Sequence, residues 1–250
     1  MKAYQDEISN KERFEFGENW KEFLLDITDT RIKKSEEAIK EMLELDSLKG
    51  KTFLDIGCGS GLSSLAAKNM GAEVRSFDFD DASVWCTEKL KSQYHADDTK
   101  WQVTSGSILD QTFLNSLKKH DIVYSWGVLH HTGEMWRAID NSLKLVETNG
   151  LAYIAIYNDQ GLKSHFWWMI KWLYCHLPNF LKKPFAYSAW VLITLLVLIK
   201  HTLKLQPMNV LGPILNYKNE RGMSQLKDVI DWYGGFPFEF AKYDTLIRYV

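Results

Sequence analysis

The chain has 250 residues, 46% of them hydrophobic, which is enough for one large α/β domain and too apolar for a disordered segment. Its formal charge of −2 is unevenly divided: Gly161 to Asn219 holds seven lysines and no Asp or Glu, so that stretch is about +7 and the remainder about −9, a balance that disfavours a nucleic-acid partner. The three cysteines, Cys58, Cys86 and Cys175, match neither a disulfide framework nor paired metal ligands and are read as reduced thiols, with no metal expected. The N-terminus lacks the basic start, apolar core and cleavage site of a signal peptide, so a cytoplasmic chain is expected.

Residues 13 to 45 space apolar side chains at helical intervals (Phe23, Leu24, Ile27; Ile39, Met42, Leu43), predicting two amphipathic helices that Gly50 brings to a close. Within them "FGENW", Phe16 to Trp20, reads either as a cover over a ligand or as core packing. Five short apolar runs follow, at Thr52 to Ile56, Glu73 to Asp78, Trp101 to Thr104, Asp121 to Ser125 and Leu151 to Tyr157, separated by stretches of helical period. That alternation predicts βαβ units, parallel strands and a ligand site at the strands' carboxyl ends.

The turn after the first run is "GCGSG", with Gly57, Gly59 and Gly61; Leu62 stands where a dinucleotide fold needs its third glycine, which removes the nicotinamide reading. No lysine followed by Ser or Thr closes the turn, which removes the phosphate-cradling loop. Asp55 just before the glycines and Asp78 at the end of the next run suit a ligand with a cationic end and a ribose diol, the parts of S-adenosylmethionine. After the fourth run, "SWGVLHHT" puts His130 and His131 at the carboxyl edge. An imidazole there can accept a proton at neutral pH, shape the pocket, or simply pack, and His131 is the preferred candidate base.

The motifs "LDIGCGSG", "SFDFD", "GSILD", "DIVYSWGVLHHT" and "LVETNGLAYIAIYN", in that order over residues 50 to 160, resemble those of the class I S-adenosylmethionine-dependent methyltransferases, in a ubiquinone-biosynthesis-type O-methyltransferase-like bacterial branch. The resemblance implies a Rossmann-like, mostly parallel sheet of order 3-2-1-4-5. It also implies S-adenosylmethionine as cofactor, S-adenosylhomocysteine as product and no metal. Asp55, Gly57, Gly59 and Gly61 would form the methionine-side loop, Asp78 the ribose clamp and Phe79 an adenine-facing wall. Ser107 stands where many relatives carry Asp; Ile108 would offer its amide and an apolar face, and Trp126 would be a further cofactor neighbour. Relatives close their sheet with an antiparallel strand pair that has no counterpart before Val250, leaving either a fragment or a fifth strand near an edge that a lid or partner must cover.

Residues 1–160 thus read as N-terminal helices plus the core, 161–220 as an inserted basic, aromatic helical lid, and 221–250 as a return segment with a terminal helix. Candidate acceptor contacts are Tyr157, Asn158, Arg221, Asp231 and Trp232. The uncharged run Pro184 to Ile199 reaches only about 24 Å as a helix against a hydrocarbon core of roughly 30 Å. With the aromatics and lysines before it, this run suits a lid that touches a membrane surface or a lipid-like acceptor, or one packed on the protein or a second copy through 162–205. The expected activity is O-methylation of a small or lipid-like hydroxyl acceptor. The alternatives are methylation of RNA or protein, and a non-catalytic S-adenosylmethionine-binding interaction protein.

Overall fold

The computed structural model describes residues 2–10, 13–203 and 225–249. Helix α1 (Lys2–Ser9) comes first, then the two predicted helices as α2 (Gly17–Leu25) and α3 (Asp29–Leu43). The core alternates β1 (Thr52–Ile56), α4 (Leu62–Asn69), β2 (Glu73–Asp78), α5 (Asp81–Tyr94), β3 (Trp101–Ser105), α6 (Gln111–Asn115), β4 (His120–Trp126), α7 (Met135–Lys144) and β5 (Val146–Ala155). All neighbours pair in parallel in the order β3-β2-β1-β4-β5, as expected. The chain therefore leaves β1 toward one side of the sheet for β2 and β3 and later returns to its other side as β4. The loops after β1 and β4 diverge there, leaving the crevice where such sheets bind ligands.

The central strand is apolar because both its faces are covered. Phe53 packs with Leu65, Trp101 and Ile39 on one side, while Leu54 and Ile56 pack with Val123, Leu129 and Ile139 on the other. Strand β5 departs from the sequence reading by starting at Val146 rather than Leu151. Val146 pairs with His120 and Leu151 with Ile122, so residues 147–150 bulge opposite Asp121 alone, and Asn149 takes a positive φ of 66°. The polar "ETNG" reads as a loop because a bulge carries turn residues without leaving the sheet.

The insertion folds into α8 (Leu162–His176) and α9 (Asn179–Leu203). Helix α9 is longer than its uncharged run because it continues through Lys182, Lys183 and Lys200. Among the described residues no helix is long and apolar enough to cross a membrane. Helix α10 (Gln225–Gly234) packs on both, with Tyr233 buried against Tyr174 and Ala186, and α11 (Tyr243–Tyr249) lies at the end of the described chain.

One fastening of the N-terminal arm to the core runs through Asp80. Asp80 caps α5 by accepting from the Ala82 amide at 2.9 Å, and its other oxygen accepts from the Gly17 amide at the start of α2 at 2.6 Å. A Cβ on Gly17 would lie 2.4 Å from that oxygen, so only glycine permits the approach. Replacing Asp80 by Ala removes both bonds and is expected to lower unfolding free energy by about 2 kcal/mol in urea titrations. Protection of the α2 amides against hydrogen exchange should fall with it.

Candidate ligand site

A cavity of about 660 Å³ opens at the carboxyl ends of β1, β2 and β4 and is roofed by α2, α8 and α10. The turn after β1 forms its floor. Gly57 has φ +75° and sits against Val128, whose methyl carbon would be 2.4 Å from an added Cβ, so the turn is both left-handed and sterically closed to side chains. Gly61, the cap of α4, does not line the cavity; it lets the turn approach Thr87 of α5.

Two carboxylates face this floor. Asp78 accepts from the Gly59 amide and from the Asp80 amide, both at 2.9 Å, and the desolvation of its carboxylate raises its pKa to about 6. Asp55 is held from beneath by the Ser64 hydroxyl at 2.5 Å, itself bonded to Ser76, and burial raises Asp55 to about 7. A ligand that is cationic or rich in donors would favour the ionised form of both groups. Phe79, Ser107 and Ile108 continue the wall. Trp126, 52% exposed and stacked on Tyr153, lies on the wall formed at the end of β4.

The histidines occupy a 3₁₀ turn, Leu129–His131, after β4. His131 lines the cavity, and its Nδ1 lies 2.6 Å from the Pro237 carbonyl. A carbonyl can only accept, so Nδ1 carries the hydrogen and Nε2 keeps the lone pair. Arg13 straps the N-terminal arm to this turn by donating to the His131 carbonyl at 2.7 Å and the Thr132 carbonyl at 3.3 Å. His130 is displaced from the lining; its ring lies edge-on to His131 and tilted against Tyr157, and neither nitrogen has a partner among the described residues. Burial lowers both imidazoles, His130 to about 3 and His131 well below its ordinary value, so both are neutral.

The far wall comes from the insertion and return segment. Tyr157, Asp231 and Trp232 line the cavity, and Asp231 accepts from Asn19 of α2 at 2.8 Å. Asn158 instead bridges to Ala241, outside the lining, and Arg221 lies outside the described residues. Among the lining residues not picked out in the sequence are Arg13, Gly235 and, above all, Lys171 of α8, which is 1% exposed. A signal for Lys171 existed. It falls on the helical stripe with Ser164, Tyr174 and Cys175, all buried.

Residues 54–152 match the family described as a methyltransferase domain, and they span strands β1 to β5 of the parallel 3-2-1-4-5 sheet. A ubiquinone biosynthesis O-methyltransferase of Pelagibacter ubique is 32% identical over 132 residues, which are 50% of this chain and 52% of that protein. A ribosomal-protein methyltransferase of Helicobacter hepaticus is 29% identical over 137 residues, 49% of this chain and 42% of that protein. The chain thus spans about half the length of the curated relatives it matches. The crystal structure of magnesium protoporphyrin IX methyltransferase from Synechocystis with bound SAH aligns with a TM-score of 0.40 at 21% identity, covering 49% of this chain and 54% of that one.

The two histidines make stability pH-dependent. Their folded pKa lies below the ordinary 6.5, so the unfolded chain binds protons that the folded chain refuses, and stability present above about pH 6.5 is lost as the pH falls toward 3. His130→Phe, which keeps a ring in the same place and removes one such group, is expected to flatten the fall in unfolding free energy, read from urea titrations, by about one proton's slope, ~1.4 kcal/mol per pH unit. An unchanged slope would contradict the buried neutral assignment.

Proposed function

We propose that the protein is an S-adenosylmethionine-dependent methyltransferase that methylates a hydroxyl oxygen of a small or lipid-like acceptor. The observation that carries this reading is the pairing of Asp55 and Asp78 around a glycine turn closed to a side chain at Gly57, next to an apolar wall of Phe79 and Ile108. A carboxylate with lone pairs to spare suits a ribose diol, a second suits an ammonium, and the wall suits an adenine, so the residues present fit S-adenosylmethionine. When bound, that cofactor supplies an electrophilic methyl group.

The chain's own residues supply position and proton handling. The glycine turn and Asp55 orient one end of the cofactor; Asp78 and Phe79 fix the other. The aromatic roof, Phe14, Phe16 and Trp20, excludes water and holds the partners in line. His131, neutral and with its Nδ1 committed to Pro237, presents Nε2 as an acceptor for the hydroxyl hydrogen. Its depressed pKa makes it a base that orients the hydroxyl, the proton displaced on methylation leaving to solvent. The O-methyltransferase named among the relatives supports oxygen as the target, while the ribosomal-protein methyltransferase keeps a macromolecular acceptor as the second reading.

The insertion supports a lipid-like acceptor or a membrane surface. Phe166, Trp168 and Met169 of α8 and Leu192, Leu195 and Ile199 of α9 are exposed, among lysines and without acids. The same apolar face would suit a second copy of the chain. Transfer of labelled methyl from S-adenosylmethionine into a fractionated lysate tests the whole reading. Label is expected in lipid-soluble or small polar material. Label confined to RNA or protein would move the assignment to the second reading, and cofactor binding without transfer would indicate an interaction protein.

A further inference from the structure

Lys171 is a cation in an unusual position. Its ammonium donates to the Trp232 carbonyl and lies 5.1 Å and 4.9 Å from the ring centroids of Trp232 and Phe238, yet it makes no salt bridge among the described residues. One carbonyl and two ring faces do not replace the water it has given up, because an ammonium has three hydrogens to donate and a buried unpaired charge is costly. Asp231 is near enough to favour the charged form, while burial lowers the pKa to about 8, so the group remains mainly charged at neutral pH. The ammonium faces the cavity beside the candidate base: Lys171 Nζ and His131 Cε1 each lie 3.2 Å from the point a Cβ on Gly235 would occupy. A lysine serving only the fold would reach solvent or form an ion pair; this one is buried and, although Asp231 lies near enough to favour its charge, it makes no salt bridge among the described residues.

We propose that Lys171 is a specificity-determining residue that binds the carboxylate of an aromatic acid acceptor inside the cavity. The inference rests on the reading of this cavity as the methyl-transfer site. Aromatic chemistry is indicated by Phe14, Phe16, Tyr157 and Trp232 lining the same space, and an anion by the ammonium. Asp55 and Asp78, which suit the cofactor, stand at the ends of β1 and β2, whereas Lys171 comes from the insertion and stands with the histidine turn at the end of β4. A carboxylate is also present on S-adenosylmethionine itself, so the test must tell the two sources apart.

The experiment titrates the whole protein calorimetrically with benzoate and with benzyl alcohol, its neutral counterpart, with and without S-adenosylhomocysteine. Wild type should prefer benzoate at least about tenfold, the value of one charge-assisted bond. Lys171→Met should bring the two probes to within about twofold, Lys171→Arg should keep most of the preference, and S-adenosylhomocysteine affinity should be unchanged in both. Equal binding of the probes by wild type, or a preference that survives Lys171→Met, would overturn the proposal. So would a loss of S-adenosylhomocysteine affinity in a folded Lys171→Met, which would assign the ammonium to the cofactor's carboxylate. A benzoate preference that depends on Lys171 in a wild type unable to bind S-adenosylhomocysteine would uphold the anion site and sink the cofactor reading instead.

Discussion

The carboxylate of Asp78, shared between the amides of Gly59 and Asp80, closes the glycine turn onto the end of β2. Much of the site depends on that contact. It holds the turn at the crevice beside β1, and through Asp80 it continues to Gly17 and the N-terminal arm that roofs the cavity. Asp55, on the neighbouring strand, is held to a raised pKa by burial first and by the charge of Asp78 in addition. Two partly compensated acids at one end and a withheld ammonium at the other give the cavity a polarity along its length, which is the physical basis for distinguishing a cofactor end from an acceptor end.

The insertion is as much a part of the site as the core. Helix α8 contributes Lys171, α10 contributes Asp231 and Trp232, and the segment after α10 contributes Gly235 to the lining and the Pro237 carbonyl that sets the tautomer of His131. Phe14 bonds through its amide to the Phe236 carbonyl, so the N-terminal arm and the return segment meet over the same space. A core built from residues 54–152 alone would have the glycine turn and its acids but would lack this wall.

The sheet was legible because helix-covered parallel strands are written as short, largely apolar runs between stretches of helical period, and four of the five runs matched their strands to within a residue or so at each end. β5 was read too short because its bulge carries Glu147, Thr148, Asn149 and Gly150, residues that locally signal a turn. Asp55 and Asp78 were picked out by their spacing to the glycine turn and Phe79 by the resemblance alone, and all three line the cavity. His130 was not separable from His131, since adjacency on a 3₁₀ turn sends one ring into the lining and the other behind it. Lys171 was hidden by its company: in an aromatic, lysine-rich helix a lysine reads as interfacial, and only its register with Ser164, Tyr174 and Cys175 marks it as inward-facing.

The measurement closest to the central claim is a calorimetric titration of wild type and Asp78→Asn with S-adenosylhomocysteine at about pH 5.5 and about pH 7.5, on either side of the raised Asp78 pKa of about 6. Binding should be several-fold tighter at the higher pH, where Asp78 and increasingly Asp55 are ionised and can hold the ribose and the ammonium. In Asp78→Asn it should be about tenfold weaker, with a smaller pH dependence. Absent binding, or binding indifferent to both pH and the substitution, would contradict the assignment of this cavity to the cofactor.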